Sequence, residues 1–436
     1  MLTILATTIN ASWSKGENLG FLLLFIRKKC MYYIPGYISI TENKDNSISL
    51  INKYTKKEIL MDSEYNCEVL EILKAGVKNI NDDVSKFLHE NGFILNEEEF
   101  FREIHSYYDV NDNYLRFVLM PTEGCNFRCT YCYENHINSS MKLDYEAIAK
   151  FIESKVNERD WKRIIINWFG GEPLLKTAEI KDFSKRIQPI LNGKDVVSTI
   201  VTNGYNLDEK TIETLEKANV SYYQITLDGD NHDKTRILAG GAPTRQTIMH
   251  NIKLLKKHTF QSCEIRVNVT DHSTENRQFY SELSQIINGD NRFSLDIHKV
   301  FESDKFKLDN LNMLEDVYKK NVEVAKDFGL NLETNEETIL QCYGAQKNCY
   351  TFRPNQAIVK CTVALDDSWN QVGKVENHTV EIFDKNGTDC FSNLKKCLRC
   401  SNIRNCKRII CSKAANNVED CDYAEKNSFD HEFNFK

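Results

Sequence analysis

The chain has 436 residues, with 41% hydrophobic and 27% charged residues and a formal net charge of -7. That length suits a large catalytic domain with appendages, and the acidic balance without a long basic tract argues against a nucleic-acid partner. No apolar run approaches the ~20 residues of a membrane span, so a membrane-embedded role is not expected. Residues 1–34 are expected to be poorly ordered or docked on the surface. The apolar run LGFLLLFIRKK, Leu19 to Lys29, carries its positive charge behind it, the reverse of a secretory signal, and Met31 could be the true start. Residues 35–105 read as a small α/β unit. YISITEN and SISLINKY flank the polar turn KDN as a hairpin, and two amphipathic segments follow with stops at Gly76 and Gly92. Strands followed by helices that end in NGFIL suggest a winged-helix-like module.

From residue 112 to 300, short apolar runs alternate with longer amphipathic stretches. The runs cover 115–120, 163–168, 196–202, 222–227, 263–269 and 294–300. Asp144 and Asp208 are expected to cap two of the intervening helices, with Leu143 against Ile148 and Leu207 against Ile212 as hydrophobic staples. Six strand–helix repeats imply a parallel sheet with right-handed crossovers. The expected fold class is α/β, as a partial (β/α)6 TIM-type barrel, with a doubly wound open sheet as the alternative. Residues 301–341 form a connecting helical segment. Residues 342–436 are cysteine-rich, lack long periodicity, and are expected to be held by ligated metals.

In parallel barrels the functional loops follow the C-terminal ends of the strands. After the first expected strand comes EGCNFRCTYCYEN, which sets Cys125, Cys129 and Cys132 at C-x3-C-x2-C. After the second comes FGGEP, Phe169 to Pro173; then TNG, Thr202 to Gly204; then LDG, Leu227 to Gly229. The fifth strand carries Arg266 and Asn268 on one face by its period of two. Three soft thiolates on one loop suit an iron–sulfur cluster with an iron left open, or a zinc site completed by a distant ligand such as His136 or another cysteine. The chain has fifteen cysteines and no secretion signal, which favours metal ligation over disulfides and a cytoplasmic location. Cys67 and Cys263 lie in apolar patterns and are expected to be buried; Cys390 is a reserve ligand.

CNFRCTYC, with Tyr131 before its last cysteine, resembles the signature loop of radical S-adenosylmethionine (SAM) enzymes. GGEP resembles the segment that holds the SAM amino group in that superfamily, through Gly170, Gly171, Glu172 and Pro173. The resemblance implies a 4Fe–4S cluster on the three loop cysteines, with SAM on the open iron and Asn203, Thr226 and Arg266 near its ribose or carboxylate. It also implies reductive SAM cleavage to methionine and a 5′-deoxyadenosyl radical that takes a hydrogen atom from the substrate. Asp228 is expected to hold a loop through a turn hydrogen bond.

The later cysteines run Cys342, Cys349, Cys361, Cys397, Cys400, Cys406, Cys411 and Cys421. They resemble the SPASM extension of peptide and protein maturases, which binds two auxiliary 4Fe–4S clusters. That resemblance assigns Cys342, Cys349, Cys361 and Cys411 to the first and Cys397, Cys400, Cys406 and Cys421 to the second. The four-residue spacing KRII before Cys411 departs from the usual interval of three, and a zinc knuckle on part of the set is the alternative.

The N-terminal module resembles the peptide-recognition element of maturases that act on ribosomally made peptides and bind a leader by strand addition. The expected partners are a leader-bearing peptide substrate and a low-potential electron donor of ferredoxin or flavodoxin type. The alternative is an anaerobic sulfatase-maturating enzyme, which forms formylglycine. In that branch an aspartate follows the third cysteine of the first auxiliary set; here the position is Thr362. That departure favours an intramolecular crosslink, a thioether first, with carbon–carbon crosslinking and epimerisation left open. A zinc-ribbon scaffold would need a basic face that the composition does not provide.

Overall fold

The computed structural model describes residues 32–35, 38–52, 55–107, 113–134, 141–258, 261–287, 289–303, 305–332, 342–383 and Cys411. They fall into two compact units, one within residues 1–107 and one holding residues 113–383 and Cys411. Cys30, Cys390, Cys397, Cys400, Cys406, Cys421 and His136 lie outside the described residues, as does the run from Leu19 to Lys29.

In the first unit, β1 (Ile38–Glu42), β2 (Ile48–Asn52) and β3 (Glu58–Met61) form an antiparallel sheet in that order. The hairpin matches the sequence reading; β3 was not read from it. Three helices follow: α1 (Asn66–Ala75), α2 (Asp83–Glu90) and α3 (Glu97–Tyr107). Gly76 ends α1 with φ of 68°, where a Cβ would meet the Tyr32 carbonyl oxygen at 2.6 Å. Asp82 caps α2 by accepting from the Ser85 amide. The unit begins earlier than residue 35. Tyr32 and Tyr33 exchange backbone hydrogen bonds with Val77 and Leu95, and Ile34 is buried. Cys67 corrects another expectation: it is exposed, because the buried stripe of α1 runs through Val69 and Ile72 on the opposite side of the helix.

The second unit is built on one sheet. Six parallel strands stand in sequential order: β4 (Tyr114–Leu119), β6 (Arg163–Trp168), β7 (Val196–Thr202), β8 (Val220–Thr226), β10 (Ser262–Val269) and β11 (Phe293–Lys299). Between them run α4 (Tyr145–Val156), α5 (Thr177–Leu191), α6 (Glu209–Lys217), α8 (Arg245–Lys257) and α9 (Arg277–Ile287), with α10 (Leu311–Asp327) after β11. Sequential order is the barrel-type winding; a doubly wound sheet reverses direction at a switch point. Among the described residues, β11 and β4 do not pair, so the sheet stays open. Both expected caps form: Asp144 accepts from the Ala147 amide and Asp208 from the Thr211 amide, and Leu143, Ile148, Leu207 and Ile212 are all buried.

Alternate residues along the strands pack under the helices, with a break in step at the register shift between Ser198 and Thr199 of β7. Leu115, Phe117 and Leu119 of β4 join Ile164, Ile166 and Trp168 of β6 in one core with Ile148, Ile152 and Val156 of α4. Phe117 lies edge-on to Phe151, with ring centroids 6.3 Å apart, and stacks on Tyr350 at 6.1 Å. The intervening residues face the other way.

Residues 342–383 differ from expectation. They are not held by ligands alone, because β12 (Cys349–Phe352), β13 (Ala357–Val359), β14 (Gln371–Glu376) and β15 (Thr379–Ile382) extend the sheet beyond β4. β12 runs parallel to β4, with Cys349 opposite Arg116; the rest are antiparallel. Tyr350, Phe352, Ile358, Val372 and Val375 give this segment apolar mass within the common core.

Candidate functional site

The three-cysteine loop leaves β4 at its C-terminal end and is fastened at several points. Its middle forms a short strand, β5 (Phe127–Cys129), paired antiparallel with β9 (Arg236–Leu238), so that Cys129 stands opposite Arg236. The turn α7 (His232–Thr235) precedes β9, and the Thr130 amide donates to the Thr235 carbonyl at 2.9 Å. Phe127 is fully buried against Tyr205, with the Arg236 guanidinium 5.7 Å from its ring centroid.

Cys125, Cys129 and Cys132 all line one cavity of about 500 Å³, within the usual size range of ligand sites. Burial pushes the Cys125 and Cys132 thiols up to about 12, with neighbouring carboxylates adding. Burial also raises Cys129, against the pull of Arg236. Among the described residues, no three cysteine sulfurs lie within 4.8 Å of one another.

The FGGEP segment packs directly on this loop. The Gly171 amide donates to the Thr122 carbonyl at 3.1 Å and the Glu172 amide to the Gly124 carbonyl at 3.0 Å. A Cβ on Gly170 would meet the Thr122 oxygen at 2.3 Å, and one on Gly171 the Gly124 oxygen at 2.4 Å. The close approach that requires these glycines is therefore to the cysteine loop itself, and both also line the cavity. Glu172 is placed differently from the reading that it offers its carboxylate to an ammonium. It is fully buried, and its oxygens accept from the Leu174 amide at 2.9 Å, the Thr202 hydroxyl at 2.7 Å and the Asn203 amide at 2.8 Å. Burial pushes this carboxyl up and the three donors pull it back. Pro173 is buried and opens the short turn Pro173–Lys176.

Asn203, Thr226, Arg266 and Tyr131 line the same cavity. Asn203 donates from its side chain to the Asn126 oxygen at 2.8 Å, tying the TNG loop to the cysteine loop. Arg266 and Asn268 do share a face: Arg266 Nε donates to Asn268 Oδ1 at 3.2 Å, and its guanidinium pairs with Asp296 at 3.4 Å. Asp228 does more than hold its own turn. It accepts from the Tyr131 hydroxyl and from the Asn268 amide at 3.2 Å, while Tyr131 receives donors from Arg236 at 3.0 Å and Asn268 at 3.1 Å. Burial raises Asp228, opposed by Arg236.

Sequence reasoning missed Arg236, Arg116, Asn167, Glu264 and His298, which also line the cavity. The available signal was the polar residue alternating with apolar ones inside LRFVLM and RIIINW. A buried ion pair, Arg353 with Glu123 at 2.7 Å, joins the loop lead-in to the segment after β12.

Of the later cysteines, Cys342, Cys349, Cys361 and Cys411 are described, and they come together. Burial pushes Cys342 up to about 11, with Cys361, Cys411 and Cys349 each adding. Thr362, next to Cys361, shares a 2.5 Å hydrogen bond with the Tyr343 hydroxyl, and both face the cavity.

Residues 119–283 match the family model of the radical SAM superfamily. The radical SAM cyclopropyl synthase TigE of Paramaledivibacter caminithermalis is 28% identical over 241 residues, 49% of this chain and 48% of that protein. The serine-type anaerobic sulfatase-maturating enzyme of Bacteroides thetaiotaomicron is 29% identical over 153 residues, 33% of this chain and 37% of that protein. The chain thus spans about half or less of the length of these curated relatives. A solved structure of anSMEcpe with bound AdoMet shares the fold, with a TM-score of 0.51 and 17% identity over 67% of this chain and 88% of that one. The chain carries, over residues 119–283, a domain of the radical SAM superfamily.

Proposed function

We propose that this chain is a radical SAM peptide maturase that forms an intramolecular crosslink, a thioether, in a ribosomally made peptide. The observation that carries the reading is that Cys125, Cys129 and Cys132 open on the same cavity as Gly170, Gly171, Asn203, Thr226 and Arg266. In this reading the three thiolates hold a 4Fe–4S cluster and leave one iron for SAM. When bound, cluster and SAM supply reductive SAM cleavage and hydrogen-atom abstraction.

The chain's own groups then have distinct tasks. Gly170 and Gly171 bring backbone within reach of SAM, and Glu172 locks the GGEP turn against Thr202 and Asn203. Asn203, Thr226 and Arg266 supply polar contacts to SAM, and Tyr131 is fixed by Asp228 and Arg236 at the loop. Cys342, Cys349, Cys361 and Cys411 hold one auxiliary 4Fe–4S cluster; Cys397, Cys400, Cys406 and Cys421 hold a second. Residues 35–105 act as the winged-helix-like peptide-recognition module, supported by three strands and three helices in that order. Electrons come from a low-potential ferredoxin- or flavodoxin-type donor. Thr362 stands where the sulfatase-maturating branch carries aspartate, which favours crosslinking over formylglycine. Among the described residues no helix is long and apolar enough to cross a membrane.

The test is anaerobic purification and reconstitution, followed by incubation with SAM, a low-potential reductant and the peptide encoded beside the gene. Brown protein, formation of 5′-deoxyadenosine and a peptide lighter by about two hydrogens are expected. Cys129→Ala is expected to abolish SAM cleavage. Colourless protein with stoichiometric zinc and no cleavage would overturn the enzyme reading. An unchanged mass with inverted stereochemistry would replace crosslinking by epimerisation.

A further inference from the structure

At the inner end of the cavity two side chains each keep one polar atom buried without a hydrogen-bond partner, as Glu134 Oε2 and Arg236 Nε do elsewhere on its lining. Arg116 is the second inward-facing residue of β4, between Leu115 and Phe117, which both face the helices. Its Nε is buried without a hydrogen-bond partner, and its guanidinium lies 5.3 Å from the Tyr343 ring centroid. Arg266 pairs with Asp296 and Arg236 donates to Tyr131, although Arg236 Nε, like that of Arg116, is buried without a partner. Among the described residues, no carboxylate pairs with Arg116 within 4.0 Å, and its charge otherwise acts on the Cys349 thiol, whose ionised form it favours. Asn167 of β6 is 7% exposed, and its Oδ1 is buried without a partner.

These two positions are neighbours. Arg116 stands opposite Ile165 in the ladder, and Asn167 lies two residues further along the same face. Strand spacing and rise put their backbones about 8 Å apart. Both lie below the loops, Arg116 three residues before the end of β4 and Asn167 one before the end of β6. By contrast Glu264, across the cavity, is already satisfied by the Tyr222 hydroxyl and the Gln224 amide.

Buried groups without partners are costly, and several of them around one cavity mark where a ligand supplies the missing half. Arg116 offers a cationic donor, which a carboxylate answers in the strongest way. Asn167 Oδ1 offers a neutral acceptor, which an amide N–H answers. One amino-acid residue carries both at this spacing. Resting on the reading of this cavity as the radical SAM site of a peptide maturase, we propose that its inner end, beyond the SAM contacts, takes an acidic residue of the substrate peptide. The side-chain carboxylate sits on Arg116 and the backbone N–H on Asn167.

The test uses the anaerobically reconstituted full chain with saturating SAM. The probes are N-acetyl-aspartate N-methylamide and its asparagine and leucine counterparts, with affinity read by ligand-observed NMR. The aspartyl probe is expected to bind at least about tenfold more tightly than the leucyl one. Arg116→Gln is expected to level the aspartyl and asparaginyl probes. Asn167→Ala is expected to weaken both several-fold and keep their order. Equal binding of all three probes to the unaltered chain would overturn the proposal, as would an aspartyl preference that survives Arg116→Gln. Displacement of SAM by the aspartyl probe would assign Arg116 to SAM and overturn it as well. If Arg116→Gln does not fold, the unaltered chain and Asn167→Ala decide. Formation of 5′-deoxyadenosine is measured separately. An aspartyl preference without SAM cleavage keeps this inference and defeats the radical SAM function; cleavage without the preference does the reverse.

Discussion

The two faces of the parallel sheet are made from the same six strands and have opposite chemistry. Under the helices, Leu115, Phe117, Ile166, Trp168, Tyr223, Ile225, Ile265 and Leu295 form a continuous buried core. On the other face, Arg116, Asn167, Thr199, Gln224, Glu264, Arg266 and His298 surround the cavity. Neighbouring strands keep these sets in step, since Gln224 lies opposite Glu264 and Asn268 opposite His298. Residues one position apart on a strand therefore serve different ends. One face supplies burial that holds the sheet together; the other carries charge, paired within the cavity at Glu264 and Arg266. A one-residue slip of register would exchange the two and destroy both.

That contrast can be broken on either side. The largest stability effect is expected on the apolar face, where Phe117→Ala should cost about 3–5 kcal/mol through lost burial and a cavity beside Phe151 and Tyr350. Denaturant unfolding of the unaltered and variant chains measures it; a loss near zero would show that the core does not depend on this stack. On the cavity side, Glu172→Gln replaces an acceptor of three hydrogen bonds and should cost about 1.5–3 kcal/mol. It should also loosen the cysteine loop, which iron retention after reconstitution would reveal.

A pH experiment sharpens the comparison next. His298 is pushed down to about 4, by burial first, with Arg266 and Lys299 adding. Its folded value lies below its unfolded value near 6.5. The unfolded chain thus binds the extra proton first, and stability falls as pH drops from about 6.5 toward 4. Histidine NMR titration should place this ring as neutral at pH 6, and His298→Asn should flatten that part of the stability profile. A midpoint near 6.5 would mean that the ring is far wetter than its place in the cavity implies. The smallest effect belongs to neither face. Asp208→Ala removes a cap on α6 and should cost about 1 kcal/mol, visible in thermal unfolding without a change in SAM binding.

Much of this was legible in the sequence, for identifiable reasons. Runs such as RIIINW and VVSTIVT carry enough apolar residues to be read as strands, and both match their observed bounds. Asp144 and Asp208 announce helix starts because capping is a local interaction. The motifs at the strand ends stood out because glycines and cysteines there have no role in a core. What stayed hidden depends on distant chain segments. Nothing near Glu172 tells that Thr202 and Asn203 will take up its oxygens. Nothing near Arg236 tells that it will lie opposite Cys129, since three-residue strands carry no readable period. The strands from 349 to 382 are short and interrupted by Pro354, Asn355 and Gly373, so their alternation is lost among turn residues. Cys67 was misplaced because the apolar stripe of Val69, Leu70 and Ile72 follows close behind it, while its helical phase points it outward.

The pairing of β12 with β4 has a consequence for how this chain can be divided. By sequence, the superfamily match ends at residue 283, and everything after β11 resembles an appendix. By hydrogen bonding it is not one. The Arg116 amide donates to the Asn348 carbonyl at 2.9 Å and the Met120 amide to the Phe352 carbonyl at 3.0 Å. A chain cut after Val300 would leave β4, the strand that launches the cysteine loop, with a bare edge open to any passing strand. Among the described residues modularity stops at the sheet: the segment that carries Cys342, Cys349 and Cys361 is grafted onto β4, and the two parts share a single backbone seam.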